Sequence, residues 1–389
     1  MTTLSSTAVS VRSLLVILPA PPGAASPPPG TVIAGLPLLR RIVLAAERAG
    51  FERILVHPRA CPEPHLLAGT AAAPLDADLP VMPRARLVLL PANVLPQARW
   101  LRALREMPLD LETLVVDSTL TAVVESGGID EVLRSAGQAA GAEDLIAALS
   151  RRLARATAAG DPAGRFAIGG TAEAPDAVDW LLRSLIKDSE GFMSRHVERR
   201  ISLAITRRLV GTRITPNEMT LVSLTIGLLG APFFLSAEPL QQIVGSLLFL
   251  THSILDGCDG ELARLKFQES PNGARLDFWG DNLVHVAVFA CMAGGWTMAA
   301  GSLWPLLLGA LAITGTGASA YLVAHRDGAA AAAGPPGRLA DAVANRDFIY
   351  LVLLLACFGR AHWFLIPVAL GTPIFMMLVR WGAGRRRTA

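Results

Sequence analysis

The sequence predicts a two-part chain: an N-terminal α/β domain with a mainly parallel sheet, then an all-α bundle of six transmembrane helices. Three observations carry that expectation. Strand-like and helix-like runs alternate as far as about Leu185. Apolar residues make up 52% of the chain and its mean hydropathy is +0.45, with the excess concentrated after about Met219. Four aspartates, Asp256, Asp259, Asp277 and Asp281, sit where two apolar runs meet. The 389 residues leave room for two domains. The boundaries read as 1–185 for the α/β domain, 186–213 for a juxtamembrane helix and 214–389 for the bundle.

In the first domain SLLVILP, ERILVHP, ARLVLLP and ETLVVDS are strand-like, each bounded by Pro, Gly or charge. LPLLRRIVLAAERAG between the first two is an amphipathic helix closed by Gly50, and QARWLRALREM is another. Strand–helix–strand order argues for parallel pairing with helices on both faces. The Ala-rich stretch from Gly127 to Gly160 reads as helical, and 163–173 as a hairpin or loop.

Composition narrows the function classes. A net charge of +3 gives no argument for nucleic acid, and Lys187 and Lys266 are the chain's two lysines. Cys61, Cys258, Cys291 and Cys357 lack paired spacing and read as free thiols, not a disulfide or zinc framework. VRSLLVILPA is too short for a signal peptide and reads as a first strand.

From 188 to 211 arginines alternate with apolar residues, the pattern of a helix in the lipid headgroup plane; a solvated linker helix is the plainer alternative. Apolar runs follow at about 219–236, 240–257, 278–298, 303–324, 347–360 and 363–380, each near spanning length although the fifth is short. Arg207, Arg208, Arg213, Arg264, Lys266, Arg275, Arg326, Arg338, Arg346 and the C-terminal arginines fall on one side, while the opposite loops hold Arg360 alone. The positive-inside rule then puts the aspartates, both termini and the first domain on the cytoplasmic side of a multi-pass protein of the cell (inner) membrane.

Carboxylates so deep in apolar sequence are costly and mark a site. Asp256, Asp259, Gly260, Ala263 and Arg264 share one helical face, and Asp277 and Asp281 share a face of the next helix. Facing antiparallel helices would gather four carboxylates, which must share protons or bind cations. Oxygen-only ligands suit Mg²⁺ or Mn²⁺. Small Gly260 and Ala263 leave room for a flat ligand, and Arg264 offers a fork for phosphate oxygens. Together they suggest a nucleotide diphosphate; a structural cap of charges is the alternative.

The pattern Asp256-x-x-Asp259-Gly260-x-x-Ala263-Arg264, then Gly273-x-x-x-Asp277-x-x-x-Asp281, resembles the signature of the CDP-alcohol phosphatidyltransferases. The resemblance implies six spans, a homodimer, two divalent metal ions, and transfer of a substituted phosphate from a CDP-alcohol to a second alcohol with release of CMP. By position, Asp256, Asp259 and Asp277 would ligate metal, and Asp281 would be the general base, also touching the second metal. Gly260, Ala263 and Gly273 would line the nucleotide pocket with Arg264 on the phosphates. Asn217 and Thr220, in a Pro-Asn-x-x-Thr stretch similar to the family's first helix, would face the nucleotide. Lys266, Arg275 and Arg346 are candidates for an acceptor phosphate; a positive-inside anchor is the other reading of Arg346.

The first domain resembles the nucleotidyltransferase domain fused ahead of some relatives, through AGLPLLRRIVLAAERAGFERILV. Such domains carry a Gly-rich phosphate loop after strand one. Here that loop is PAPPGAASPPPG, whose prolines remove backbone N–H donors. Asn93 stands where a metal-binding Asp is expected. An inactive scaffold is therefore expected, against a divergent site using Arg12, Arg40 or Asp117. For the whole chain, CDP-diacylglycerol in phospholipid synthesis competes with a soluble CDP-polyol such as CDP-inositol donating to a polyol phosphate. A cation transporter using the aspartates is the rival from another class, and it predicts carboxylates at span centres and inverted repeats.

Overall fold

The computed structural model describes residues 12–21, 26–75, 84–157, 162–186, 192–324 and 347–373. The chain divides into two compact units, Met1–Leu181 and Leu182–Ala389.

In the first unit β1 (Arg12–Leu18) is followed by a short antiparallel pair, β2 (Val32–Ile33) and β3 (Leu36–Pro37), and by α1 (Leu38–Ala49). Gly50 ends α1 with φ 82°, a left-handed cap that glycine takes without strain. Next come β4 (Arg53–Val56), β5 (Ala72–Pro74), β6 (Ala85–Pro91), β7 (Val94–Pro96) and α2 (Ala98–Glu106). β8 (Thr113–Val116), β9 (Ala122–Ser126), α3 (Ile129–Gln138), α4 (Ala142–Leu149), β10 (Ala154–Thr157), β11 (Arg165–Ala167) and α5 (Ala174–Arg183) follow.

Seven strands form one sheet in the order β10-β8-β9-β6-β1-β4-β5. All neighbours pair parallel except β9, which runs against β6 and β8. The sheet is therefore mixed and mostly parallel. β1 is buried on both faces, which is why it reads as an unbroken apolar run. Leu14, Val16 and Leu18 join Leu87 and Leu89 against Val132, Leu133, Leu145 and Ile146 of α3 and α4. Leu15, Ile17, Val88 and Leu90 point to the opposite face.

Two expectations need correction here. The Ala-rich stretch is helical only through α3 and α4, because ARAT then adds to the sheet edge as β10 beside β8. AVVES, to which no element was assigned, is the antiparallel β9 at the sheet centre; its five residues are all buried, so no alternation marks it.

Glu125 of β9, with its side chain 2% exposed, accepts hydrogen bonds from Arg84 and, in a two-pronged contact at 2.7 and 3.2 Å, from Arg86. Burial by itself raises this carboxyl, but the hydrogen bonds and charges of Arg86 and Arg84 prevail and hold it below the usual carboxylate range. A depressed folded value means stability present above the unfolded value of about 4.3 and lost as pH falls through the folded one. Amide exchange over residues 85–126 should therefore accelerate as the pH drops below about 4. Glu125→Gln should remove that acid dependence and cost about 3 kcal/mol at neutral pH.

In the second unit a π-helical turn (Ser194–Glu198) leads into α6 (Arg199–Leu209). α7 (Pro216–Gly230) opens with a capping box in which Thr215 accepts from the Glu218 amide and Glu218 from the Thr215 amide. α8 (Pro239–Lys266), α9 (Pro271–Ala300), α10 (Trp304–Ala324) and α11 (Phe348–Cys357) follow. Residues 365–373 are helical, and 374–380 of the sixth apolar run lie outside the described residues. Among the described residues three helices are long and apolar enough to cross a membrane: Pro216–Leu235, Pro271–Ala300 and Trp304–Leu322. α8 is 28 residues long but carries Asp256, Asp259, Glu261, Arg264 and Lys266 in its second half.

Close helix contact explains two glycines of α9. A Cβ on Gly280 would meet the Leu224 side chain at 2.6 Å, and one on Gly295 would strike the carbonyls of Phe234 and Leu235. The core between these helices gathers Phe234, Phe249, Val284, Val288, Met292 and Val352.

Candidate active site

α8 and α9 are joined by a short turn. Phe267 ends α8 with φ 56°, and Ser270 opens α9 by accepting the Gly273 amide at 3.0 Å, with Pro271 at its first position. The last turns of one helix thus face the first turns of the other. Carboxylate oxygens of Asp256, Asp259 and Asp277 lie within 4.8 Å of one another, and Asp256 and Asp259 are each 5% exposed. Three carboxylates so close repel unless a cation or protons intervene. The donor set is all oxygen, so it fits a hard divalent ion such as Mg²⁺ or Mn²⁺.

Asp281 is not in that group of three. Its Oδ1 lies 3.6 Å from Nε2 of His252, while Nδ1 of the same ring is 3.0 Å from the Ser223 carbonyl. His252, 3% exposed, was missed by the sequence reading. The available signal was its spacing, one helical turn before Asp256 on the same face.

Beside the three carboxylates is a cavity of about 230 Å³. Asn217, Thr220, Gly260, Ala263, Arg264 and Gly273, the sequence-selected nucleotide residues, all line it. Thr220 also donates a short hydrogen bond to Oδ2 of Asp259, so its hydroxyl orients one of the three acids. Gln268, Glu269 and Ser270 of the interhelical turn complete the rim.

The basic candidates fare differently. Lys266 donates to the carbonyls of Thr212 and Ile214 at 2.9 and 2.7 Å, so two of its three ammonium hydrogens fasten the approach to α7. Arg275 is exposed on the first turns of α9, away from the cavity lining. Arg346 lies outside the described residues. The neighbouring Asp347 accepts amide hydrogens of Met193 and Ser194.

A second carboxylate centre stands behind the first. Glu261, fully buried on α8, accepts from Arg199 at 2.7 Å, Ser202 at 2.7 Å and Thr206 at 2.6 Å. These donors lie on one face of α6, which is therefore clamped to α8.

In the first unit three of the four candidate groups are engaged in structure. Asn93 donates to the Ile168 carbonyl, beside the antiparallel pair of β7 and β11. Asp117 accepts from the amides of Thr119 and Thr121, as a turn residue does, and its Oδ2 forms an ion pair with Nε of Arg165 at 2.7 Å. Arg40 donates to the Ala68 carbonyl at 2.7 Å. Arg12 is exposed at the start of β1.

Known proteins resemble parts of this chain. Residues 213–375 match the family described as CDP-alcohol phosphatidyltransferase. The chain is 40% identical over 114 residues to a Thermococcus kodakarensis protein named bifunctional IPC transferase and DIPP synthase, covering 29% of this chain and 25% of that one. A Rubrobacter xylanophilus protein of the same name is 38% identical over 171 residues, 43% of this chain and 36% of its own. A Mycobacterium leprae protein named CDP-diacylglycerol–serine O-phosphatidyltransferase is 37% identical over 76 residues, 20% of this chain and 24% of its own. The matches thus span roughly a third or less of these relatives' lengths. Residues 213–375, the part of the chain that carries the aspartates, thus match as a domain of the CDP-alcohol phosphatidyltransferase family.

Proposed function

We propose that this protein is an integral membrane phosphotransferase that moves a substituted phosphate from CDP-diacylglycerol to a second alcohol, releasing CMP. The observation that carries the reading is the meeting of Asp256, Asp259 and Asp277 at the edge of the cavity lined by Asn217, Gly260, Ala263, Arg264 and Gly273. Gly260 and Ala263 provide a low wall for the cytidine, and Arg264 holds phosphate oxygens. Asp256, Asp259 and Asp277 would hold divalent ions, which supply charge neutralisation of the diphosphate and of the departing CMP. Thr220 keeps the Asp259 carboxylate turned to that point. Asp281 takes the proton of the incoming hydroxyl, and Nε2 of the His252 ring lies 3.6 Å from its Oδ1. The reading includes six spans, a homodimer and cytoplasmic placement of this site, as the family resemblance implies.

A lipid donor is supported by a second cavity, about 430 Å³, lined mainly by apolar side chains including Phe278, Phe289, Phe348 and Phe364. It lies on the face of α9 beside Asp281, through Asn282 and His285, and has room for an acyl chain. The relatives named IPC transferase and DIPP synthase favour instead a soluble CDP-polyol donor with a polyol phosphate acceptor. The first unit serves as a scaffold in either case, since three of its four candidate groups, Asn93, Asp117 and Arg40, are spent on turns and strand ties.

The test is CMP release by the purified chain with Mg²⁺ and a panel of CDP-alcohols and acceptors. Turnover only with CDP-diacylglycerol is expected. Turnover only with CDP-inositol would establish the second reading, and no CMP from any pair would remove both. Release of pyrophosphate from CTP and a polyol phosphate would overturn the scaffold role.

A further inference from the structure

The juxtamembrane helix has its polarity reversed. Glu198, Ser202 and Thr206 point inward, with exposures of 4%, 2% and 0%, against α8 and its Glu261. The outward side carries Val197 and Ile201, 38% and 43% exposed, together with exposed Ala204, Arg200, Arg207 and Arg208. A helix facing water hides its apolar residues and shows its polar ones. Here the hydroxyls and the acid are consumed inside, and an apolar strip edged by guanidinium groups is what remains outside. Rotation to hide that strip would break the three hydrogen bonds to the fully buried Glu261.

Charge decides what can cover this face. Residues 192–213 hold six arginines and one acid, and that acid, Glu198, is on the inner side. α6 ends at Leu209, and the first membrane-capable helix begins at Pro216. The strip therefore lies within a few residues of a bilayer boundary. Apolar residues that can enter the acyl boundary, with long cationic side chains reaching back to the headgroups, are the chemistry of interfacial binding.

We propose that the outward face of α6 is a binding surface for anionic phospholipid headgroups, with Arg200, Arg207 and Arg208 on the phosphates and Val197 and Ile201 in the acyl boundary. The clamp by Glu261 fixes which side of the helix meets the lipid. This surface lies outside the catalytic cavity and does not depend on the transfer reaction.

The test uses the full chain reconstituted in phosphatidylcholine vesicles carrying trace spin-labelled phosphatidylglycerol or spin-labelled phosphatidylcholine. The motionally restricted signal should favour phosphatidylglycerol by about threefold to fivefold, falling in high salt. Combined Arg200→Gln, Arg207→Gln and Arg208→Gln should bring the ratio close to one. The corresponding triple Lys variant, which keeps the charge, should retain most of it and controls for folding. Absence of a preference in the wild-type chain, as expected if an acidic protein covers this face, overturns the proposal. So does a preference that survives the triple Gln change.

Discussion

Asp281→Asn is expected to hold the CDP-alcohol donor and fail to turn it over. Asparagine has nearly the same volume, so the close contact of α9 with α7 at Gly280 is undisturbed. What is lost is the group that accepts the hydroxyl proton. General-base removal typically lowers kcat by about 10²–10⁴. Asp281 lies outside the three-carboxylate group, so donor affinity should change by no more than about twofold, while a higher half-maximal Mg²⁺ would show that this carboxylate also touches the second metal. Pre-steady-state CMP release alongside equilibrium donor binding separates the effects. Unchanged turnover would take Asp281 out of the base role. A large loss of donor affinity would make it a ligand-binding residue instead.

Asp259→Asn should act through the other half of the site. Its carboxylate is buried, shares a point with Asp256 and Asp277, and accepts the Thr220 hydroxyl. The amide keeps the shape but loses the charge that a hard cation needs. CMP release should fall by at least about a hundredfold, and half-maximal Mg²⁺ should rise. Thr220→Val should give a weaker version of the same behaviour, about tenfold to a hundredfold in metal affinity, because it frees the carboxylate to turn without discharging it. Titration of Mn²⁺ binding provides a readout independent of turnover. If Thr220→Val changes only donor affinity, Thr220 belongs to the nucleotide wall and not to the acids.

The site was largely legible because it is written in helical spacing. Steps of three and four residues between Asp256 and Asp259 and between Asp277 and Asp281 fix common faces, and a short turn folds one helix back on the other. Gly260, Ala263 and Arg264, picked out by that spacing, line one cavity together with Asn217, Thr220 and Gly273, which the family resemblance supplied. What escaped notice has no spacing of its own. His252 is a single ring in an apolar run, and its meeting with Asp281 depends on how α8 crosses α9. Glu261 sits inside the aspartate pattern yet faces the opposite way, toward donors some sixty residues earlier in the chain. Lys266 was picked as a phosphate candidate by proximity, and proximity in sequence cannot reveal that two carbonyls take two of its three hydrogens. In the first unit, four strand-like runs were apparent from their flanking Pro, Gly and charge. β9 and β10 were not, since a strand buried on both sides and a four-residue edge strand show no alternation.

The glycines of α9 bear on direction. At Gly280 and Gly295 nothing larger than hydrogen separates this helix from the first apolar helix and the turn that ends it. The cavity beside the aspartates is lined from residues 216–220 and 259–277, next to the Gly280 end of that contact. A passage for ions between these two helices would need a gap, and at both glycines they touch.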